Sequence, residues 1–117
     1  MEPGVPLSAE RFAAGIEHFN GGRFFEAHEI WEEIWVEEVG EWKRFLQGLI
    51  QAAAACHKAE IGVPGGARKL FQSSLRILED FAPDAYGVDL ATFRAGIRER
   101  LAGSAARHPA KIRMVKR

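Results

Sequence analysis

The feature that most constrains this fold is the segment between Phe24 and Val39, which reads FFEAHEIWEEIWVEEV. At about 100° per residue it separates most of its acidic residues from its apolar ones, which predicts a helix with one face in a core. Two polar residues depart from that pattern, because His28 and Glu32 lie one turn apart inside the apolar arc. An unsatisfied buried polar group costs free energy, so this pair predicts a hydrogen-bonded, ion-paired or ligand-binding site.

Four further helices are predicted around this one, and no segment reads convincingly as a strand. The first predicted helix follows a Ser8 N-cap and ends at 20–22. The second runs from 24 to 39 and ends at Gly40, and the third runs from 42 to 61. The fourth runs from 67 to 81 after a connector at 62–66, and the fifth follows an Asp89 N-cap. Short connections make consecutive helices antiparallel neighbours. We therefore predict an all-α, single-domain bundle of about five helices with short connections. We expect the bundle over 1–106 and a basic, solvated C-terminal tail over 107–117.

Charge and cysteine content restrict the partners and the location. Sixteen basic residues balance sixteen acidic ones, so the chain presents no global field for nucleic acid or for an anionic membrane surface. The longest apolar stretch, residues 45–56, is too short to span a bilayer, and we expect no secretory signal. Cys56 is the single cysteine and is predicted to be buried and inert, which favours the cytoplasm.

The predicted third helix is apolar around most of its circumference and so is expected to be surrounded by protein. A seam of small residues runs along it at helical spacing: Gly48, Ala52, Ala55 and Ala59. Such a seam allows a close helix crossing, either within the chain or with a second copy, so a homodimer is one alternative. Because this helix is central, its polar residues Gln47, Gln51 and His57 are expected to meet other side chains.

Three interpretations compete for the polar residues of the second and third helices. In the first, Glu32 accepts hydrogen bonds from His28, Arg44 or Gln47 in an internal network that fixes the bundle. The second interpretation places the same network at the floor of a small-molecule pocket with aromatic walls: Phe25, Trp31 and Trp35. The third is a metal-assisted, hydrolase-like enzyme that holds a divalent transition metal through His28, Glu32 and His57, with Glu29 as general base.

Several motifs together resemble a known family. They are Phe19-Asn20-x-Gly22-x-Phe24-Phe25-Glu26-Ala27-His28-Glu29-x-Trp31-Glu32-x-x-Trp35, then Arg44-Phe45-Leu46-Gln47-Gly48-Leu49-Ile50-Gln51, His57 and Gly66-Ala67. Over roughly Phe12 to Leu101 the chain resembles the uncharacterised bacterial and archaeal family named domain of unknown function 309. The resemblance implies a small all-helical fold and no established activity. It also singles out Glu26, which the helical projection places on the solvated face.

The leading interpretation is a non-catalytic module that binds a small ligand or serves as a scaffold. Its predicted polar cluster lies between the second and third helices and comprises Glu26, His28, Glu29, Trp31, Glu32, Trp35, Arg44, Gln47, Gln51 and His57. The metal-dependent enzyme is the alternative, and no cofactor is assigned beyond a possible divalent transition metal. Nucleic-acid binding through the basic tail is disfavoured by the balanced charge.

Overall fold

A computed structural model describes residues 5–103 and 109–115 of the chain. Its helices are α1 (Val5–Asn20), α2 (Phe24–Trp35), α3 (Gly40–Glu60), α4 (Pro64–Leu78) and α5 (Leu90–Leu101), with a 3-10 turn at Ala85–Gly87 before α5. The all-α bundle predicted from the sequence is thereby confirmed. No helix in the described part of the chain is both long and apolar enough to cross a membrane. The predicted boundary between residues 106 and 107 lies outside the described residues.

Helix α2 ends at Trp35, four residues before the predicted end at Val39. The following amides turn tightly, because Glu37 N–H donates to the Ile34 carbonyl and Glu38 N–H donates to the Trp35 carbonyl. Acidic residues at a helix C-terminus oppose the macrodipole, which accounts for the early end. Val39 is extended and 80% exposed, so the apolar face of α2 ends before this residue.

Three helices begin earlier than predicted, and for α3 the start is Gly40 in place of residue 42. Helix α1 starts at Val5, so Ser8 lies inside the helix and is not its N-cap. Helix α4 starts at Pro64, and the predicted connector therefore supplies its first turn. Proline suits this position because the first helical N–H needs no partner within the helix. The Asp89 N-cap of α5 is confirmed, since its carboxylate accepts a hydrogen bond from the Thr92 amide at 3.2 Å.

Helix α3 lies between α2 and α4 and contacts both. Its small-residue seam is used inside the chain, because a Cβ added at Gly48 would come within 2.6 Å of Leu78 on α4. Ser74 of α4 is fully buried at the same crossing and donates a hydrogen bond to the Gly48 carbonyl at 2.7 Å. The seam therefore packs α4 and leaves no surface there for a second copy.

The C-terminal segment 109–115 packs on the bundle. The Asn20 side chain pairs with the backbone of Ile112, donating to its carbonyl and accepting from its amide, each at 2.8 Å. Val88 and Met114 form an antiparallel bridge beside this pair. Ile112 is buried whereas Lys111 and Arg113 are exposed, so the described part of the segment lies on the surface and inserts Ile112 into it. Asn20 thus joins the end of α1 to the end of the chain.

Candidate ligand pocket

A concavity of about 280 Å³ opens between α2, α3 and α4. Its lining residues are His28, Glu32 and Trp35 from α2, Gln47, Ile50, Gln51 and Ala54 from α3, and Leu70 from α4. The α2 residues share one helix face because they are spaced by four and then three positions, and the α3 residues follow the same rule. Two adjacent polar stripes therefore face each other across an apolar floor.

Three lining side chains contain buried polar atoms that lack a hydrogen-bond partner among the described residues. They are His28 Nδ1, Trp35 Nε1 and Gln51 Oε1. Leaving one such atom unpaired costs about 1–3 kcal/mol, and native folds keep few of them. Because all three atoms lie around one concavity, they are available for hydrogen bonds to a molecule bound there.

His28 and Glu32 contact each other within the lining. His28 Nε2 lies 3.5 Å from Glu32 Oε2, across one helical turn. The side chain of Glu32 is 52% exposed and that of His28 is 26% exposed, so this pair lies at the pocket rim. In the neutral ring with its proton on Nε2, toward Glu32, Nδ1 is a hydrogen-bond acceptor.

Arg44 and Trp31 lie outside this concavity. Arg44 Nη2 donates to Asp80 Oδ2 at 2.6 Å, just beyond the end of α4. Trp31 is fully buried against α1, where its indole N–H donates to the Phe12 carbonyl at 3.2 Å. Gly15 of α1 lies against the Trp31 ring, at a position where a Cβ would clash with the indole. Trp31 is therefore part of the α1–α2 packing.

The remaining predicted site residues lie around the pocket but do not line it. Glu26 and Glu29 are exposed on α2. His57 packs on Phe25, with ring centroids 5.3 Å apart, and Phe25 stacks on His28 with centroids 6.1 Å apart. The phenyl ring thus contacts both imidazoles of the predicted metal trio. The described residues contain no group of three His, Cys, Asp or Glu side chains placed to hold a metal ion.

Sequence reasoning did not include three lining residues in the site: Ile50, Ala54 and Leu70. Leu70 and Ile50 are apolar and form part of the apolar surface of the pocket. These residues line the pocket together because α4 packs closely on α3, with Gly48 and Ser74 at the crossing. The small-residue seam indicated a close helix neighbour on this face of α3 without identifying which helix it is.

Comparison with known proteins adds a family but no activity. A family model described as Domain of unknown function (DUF309) matches residues 12–70, which is half of the chain. All of the pocket-lining residues fall within that match. The matched region begins where the sequence motifs predicted, at residue 12, and the family model does not extend over the predicted C-terminal part beyond residue 70.

Two curated relatives are longer than this chain. An uncharacterised protein of Aquifex aeolicus (strain VF5) is 29% identical over 111 residues, which cover 94% of this chain and 33% of that protein. The uncharacterised protein YpuF of Bacillus subtilis (strain 168) is 40% identical over 57 residues, which cover 48% of this chain and 33% of that protein. The matched part of the chain thus spans about a third of each relative's length.

Proposed function

We propose that this chain, which belongs to the family described as Domain of unknown function (DUF309), binds a small organic molecule in the pocket between α2, α3 and α4. The observation that carries the proposal is the set of three unpaired polar atoms on the pocket lining. A mostly apolar concavity with a few convergent polar groups is the usual form of a small-molecule site. At about 280 Å³ the pocket suits a ligand of metabolite size.

The proposed module binds without catalysing a reaction. Glu29, the predicted general base, is exposed and is absent from the lining. The predicted metal ligands His28 and His57 both contact Phe25, and His57 lies outside the lining. A general base must come within hydrogen-bond reach of the proton that it removes, and the exposed Glu29 carboxylate does not line the pocket.

Location and self-association are separate proposals that rest on the sequence. The single, buried cysteine supports a reducing compartment such as the cytoplasm. A homodimer would need a surface other than the small-residue seam, because α4 covers that seam. Light scattering across a range of protein concentrations measures the oligomeric state directly. A nucleic-acid partner stays disfavoured by the balanced charge.

The test of the proposed function is a ¹H–¹⁵N NMR titration with a library of small amines, amides, alcohols and carboxylates. The indole N–H of Trp35 reports on the pocket, and the indole N–H of Trp31, which donates to a carbonyl, is the internal reference. We expect at least one compound to shift the Trp35 and Gln51 side-chain signals saturably while the Trp31 signal stays in place. If no compound moves the pocket signals at millimolar concentration, the proposal is wrong.

A pair of variants links the response to the pocket. Ala54→Leu adds three carbons to the lining and is expected to weaken ligand binding at least tenfold. Ala13→Leu makes the same change on the exposed face of α1 and is expected to bind as the unmodified chain does. Equal binding by both variants would place the ligand elsewhere on the molecule.

A further inference from the structure

We propose, building on the function above, that the pocket selects small organic cations of the primary ammonium or amidinium class, with Glu32 as the charge partner. The inference concerns the chemical class of the ligand. It depends on which polar atoms of the lining are donors or acceptors and on which charges surround the pocket mouth.

Acceptors outnumber donors among the unpaired atoms. Gln51 Oε1 accepts, and His28 Nδ1 accepts when Nε2 carries the proton toward Glu32. The carboxylate of Glu32 adds acceptor oxygens at the rim, where it is half exposed. Trp35 Nε1 is the one donor among the unpaired lining atoms of the described chain. A ligand that satisfies this set presents several N–H donors, as an ammonium or amidinium group does.

The charges around the mouth have the matching sign. The lining includes the Glu32 carboxylate and no lysine or arginine. Arg44, the nearest arginine along α3, is held by Asp80 at 2.6 Å, and Lys43 sits over the Trp35 ring at 4.1 Å without joining the lining. Helix α2 itself carries Glu26, Glu29, Glu32 and Glu33 and neither lysine nor arginine. The Glu32 carboxylate within the lining therefore favours a bound cation over an anion.

The pocket size selects suitable probes. A cavity of about 150 Å³ already holds benzene, so a pocket of about 280 Å³ accepts a benzene ring that carries one small polar substituent. Benzamidinium, benzamide and benzoate share this shape and differ in charge and in donor count. Their affinities can be compared by the Trp35 indole shift on the unmodified chain. We expect benzamidinium to bind at least tenfold more tightly than benzamide, and benzoate to bind most weakly.

Two glutamate variants test the assigned charge partner. Glu32→Gln removes the carboxylate at the rim, and Glu33→Gln removes the neighbouring carboxylate, which is 63% exposed and lies 3.9 Å from Arg11. We expect Glu32→Gln to lower benzamidinium affinity to that of benzamide and to leave benzamide affinity unchanged. We expect Glu33→Gln to leave the affinities for both probes within twofold of the unmodified chain.

The outcomes separate this inference from the function on which it rests. Equal affinities for the three probes, a preference for benzoate, or unchanged benzamidinium binding by Glu32→Gln would each overturn the cation class while leaving the pocket a binding site. The class is also overturned if compounds of the wider library bind and benzamidinium does not. If neither the probes nor the library shifts the Trp35 signal, both the proposed function and this inference fail.

Discussion

At the scale of single residues, the buried polar side chains of this bundle differ in whether their partners lie within the fold. The Trp31 indole and the Ser74 hydroxyl each donate to a backbone carbonyl at a helix crossing. Trp35, one turn along α2 from Trp31, has the same indole N–H, and Gln51 of α3 has an amide oxygen, yet both atoms lack partners among the described residues. The paired groups hold the helices together, and three of the five unpaired groups found among the described residues lie on the pocket lining.

Ser74→Ala tests a buried polar group whose hydrogen-bond partner lies within the fold. The change removes the hydrogen bond to the Gly48 carbonyl and should lower the free energy of unfolding by about 1 kcal/mol, the usual net value of such a bond. Chemical denaturation followed by circular dichroism measures it. Ser73→Ala, at the partly exposed neighbouring position, is the control and should change stability by less than about 0.5 kcal/mol. Equal effects would show that the Ser74 bond does not support the crossing.

Cys56 provides a prediction about reactivity and pH. Burial raises the pKa of its thiol well above the ordinary range, and the Glu60 carboxylate raises it further. The folded chain should therefore resist alkylation by iodoacetamide at pH 8, whereas the chain in denaturant should react at once. Because the unfolded thiol ionises first, stability should fall as the pH rises above about 8.5. Rapid alkylation of the native chain would contradict the burial.

At the scale of helices, periodicity in the sequence was enough to identify five elements and their order, because each one buries an apolar stripe. The helix ends were harder to predict. The end of α2 depends on tight turns after Trp35, and the start of α4 depends on Pro64 occupying the first helical position. The identity of the helix that lies against the seam of α3 was not predictable either, since a seam fits any close neighbour.

Two glycine variants test that crossing. A Cβ at Gly48 would approach the Leu78 side chain to 2.6 Å, so Gly48→Ala should destabilise the chain by about 1–3 kcal/mol. Gly65 lies in the first turn of α4 with no atom near its added Cβ. Gly65→Ala should stabilise the chain by about 0.5–1 kcal/mol, because alanine loses less backbone entropy. Thermal unfolding of both variants provides the comparison, and a neutral Gly48→Ala would contradict the close crossing.

At the scale of the whole molecule, the chain brings its C-terminal segment back to α1 through Asn20 and Ile112. This contact spans 92 positions and was not predictable from the sequence, which shows a short basic stretch beside a proline. Part of the polar cluster was predictable, because it depends on local helical spacing and not on a contact between distant parts of the chain. His28, Glu32, Gln47 and Gln51 interrupt regular helical stripes, whereas the partner of Arg44 lies on a distant helix end.

Asn20→Ala tests the attachment of the C-terminal segment. The loss of two hydrogen bonds, worth about 0.5–1.5 kcal/mol each, should raise the open population of residues 109–115 roughly tenfold or more. Trypsin cleavage after Lys111 and Arg113 under native conditions should accelerate accordingly. Asn20→Asp retains an acceptor for the Ile112 amide and should show an intermediate rate. Unchanged cleavage in both variants would mean that Asn20 does not hold the segment.

The measurement that tests the central claim most directly is the free energy of unfolding of Gln51→Met in the absence of ligand. If Gln51 keeps an unpaired oxygen for a bound molecule, removing it should leave stability unchanged or raise it by up to about 1–3 kcal/mol. Gln72→Met, at an exposed position on α4, is the matched control. A loss of 1 kcal/mol or more, as expected for Ser74→Ala, would mean that Gln51 is bonded within the fold and would contradict the account.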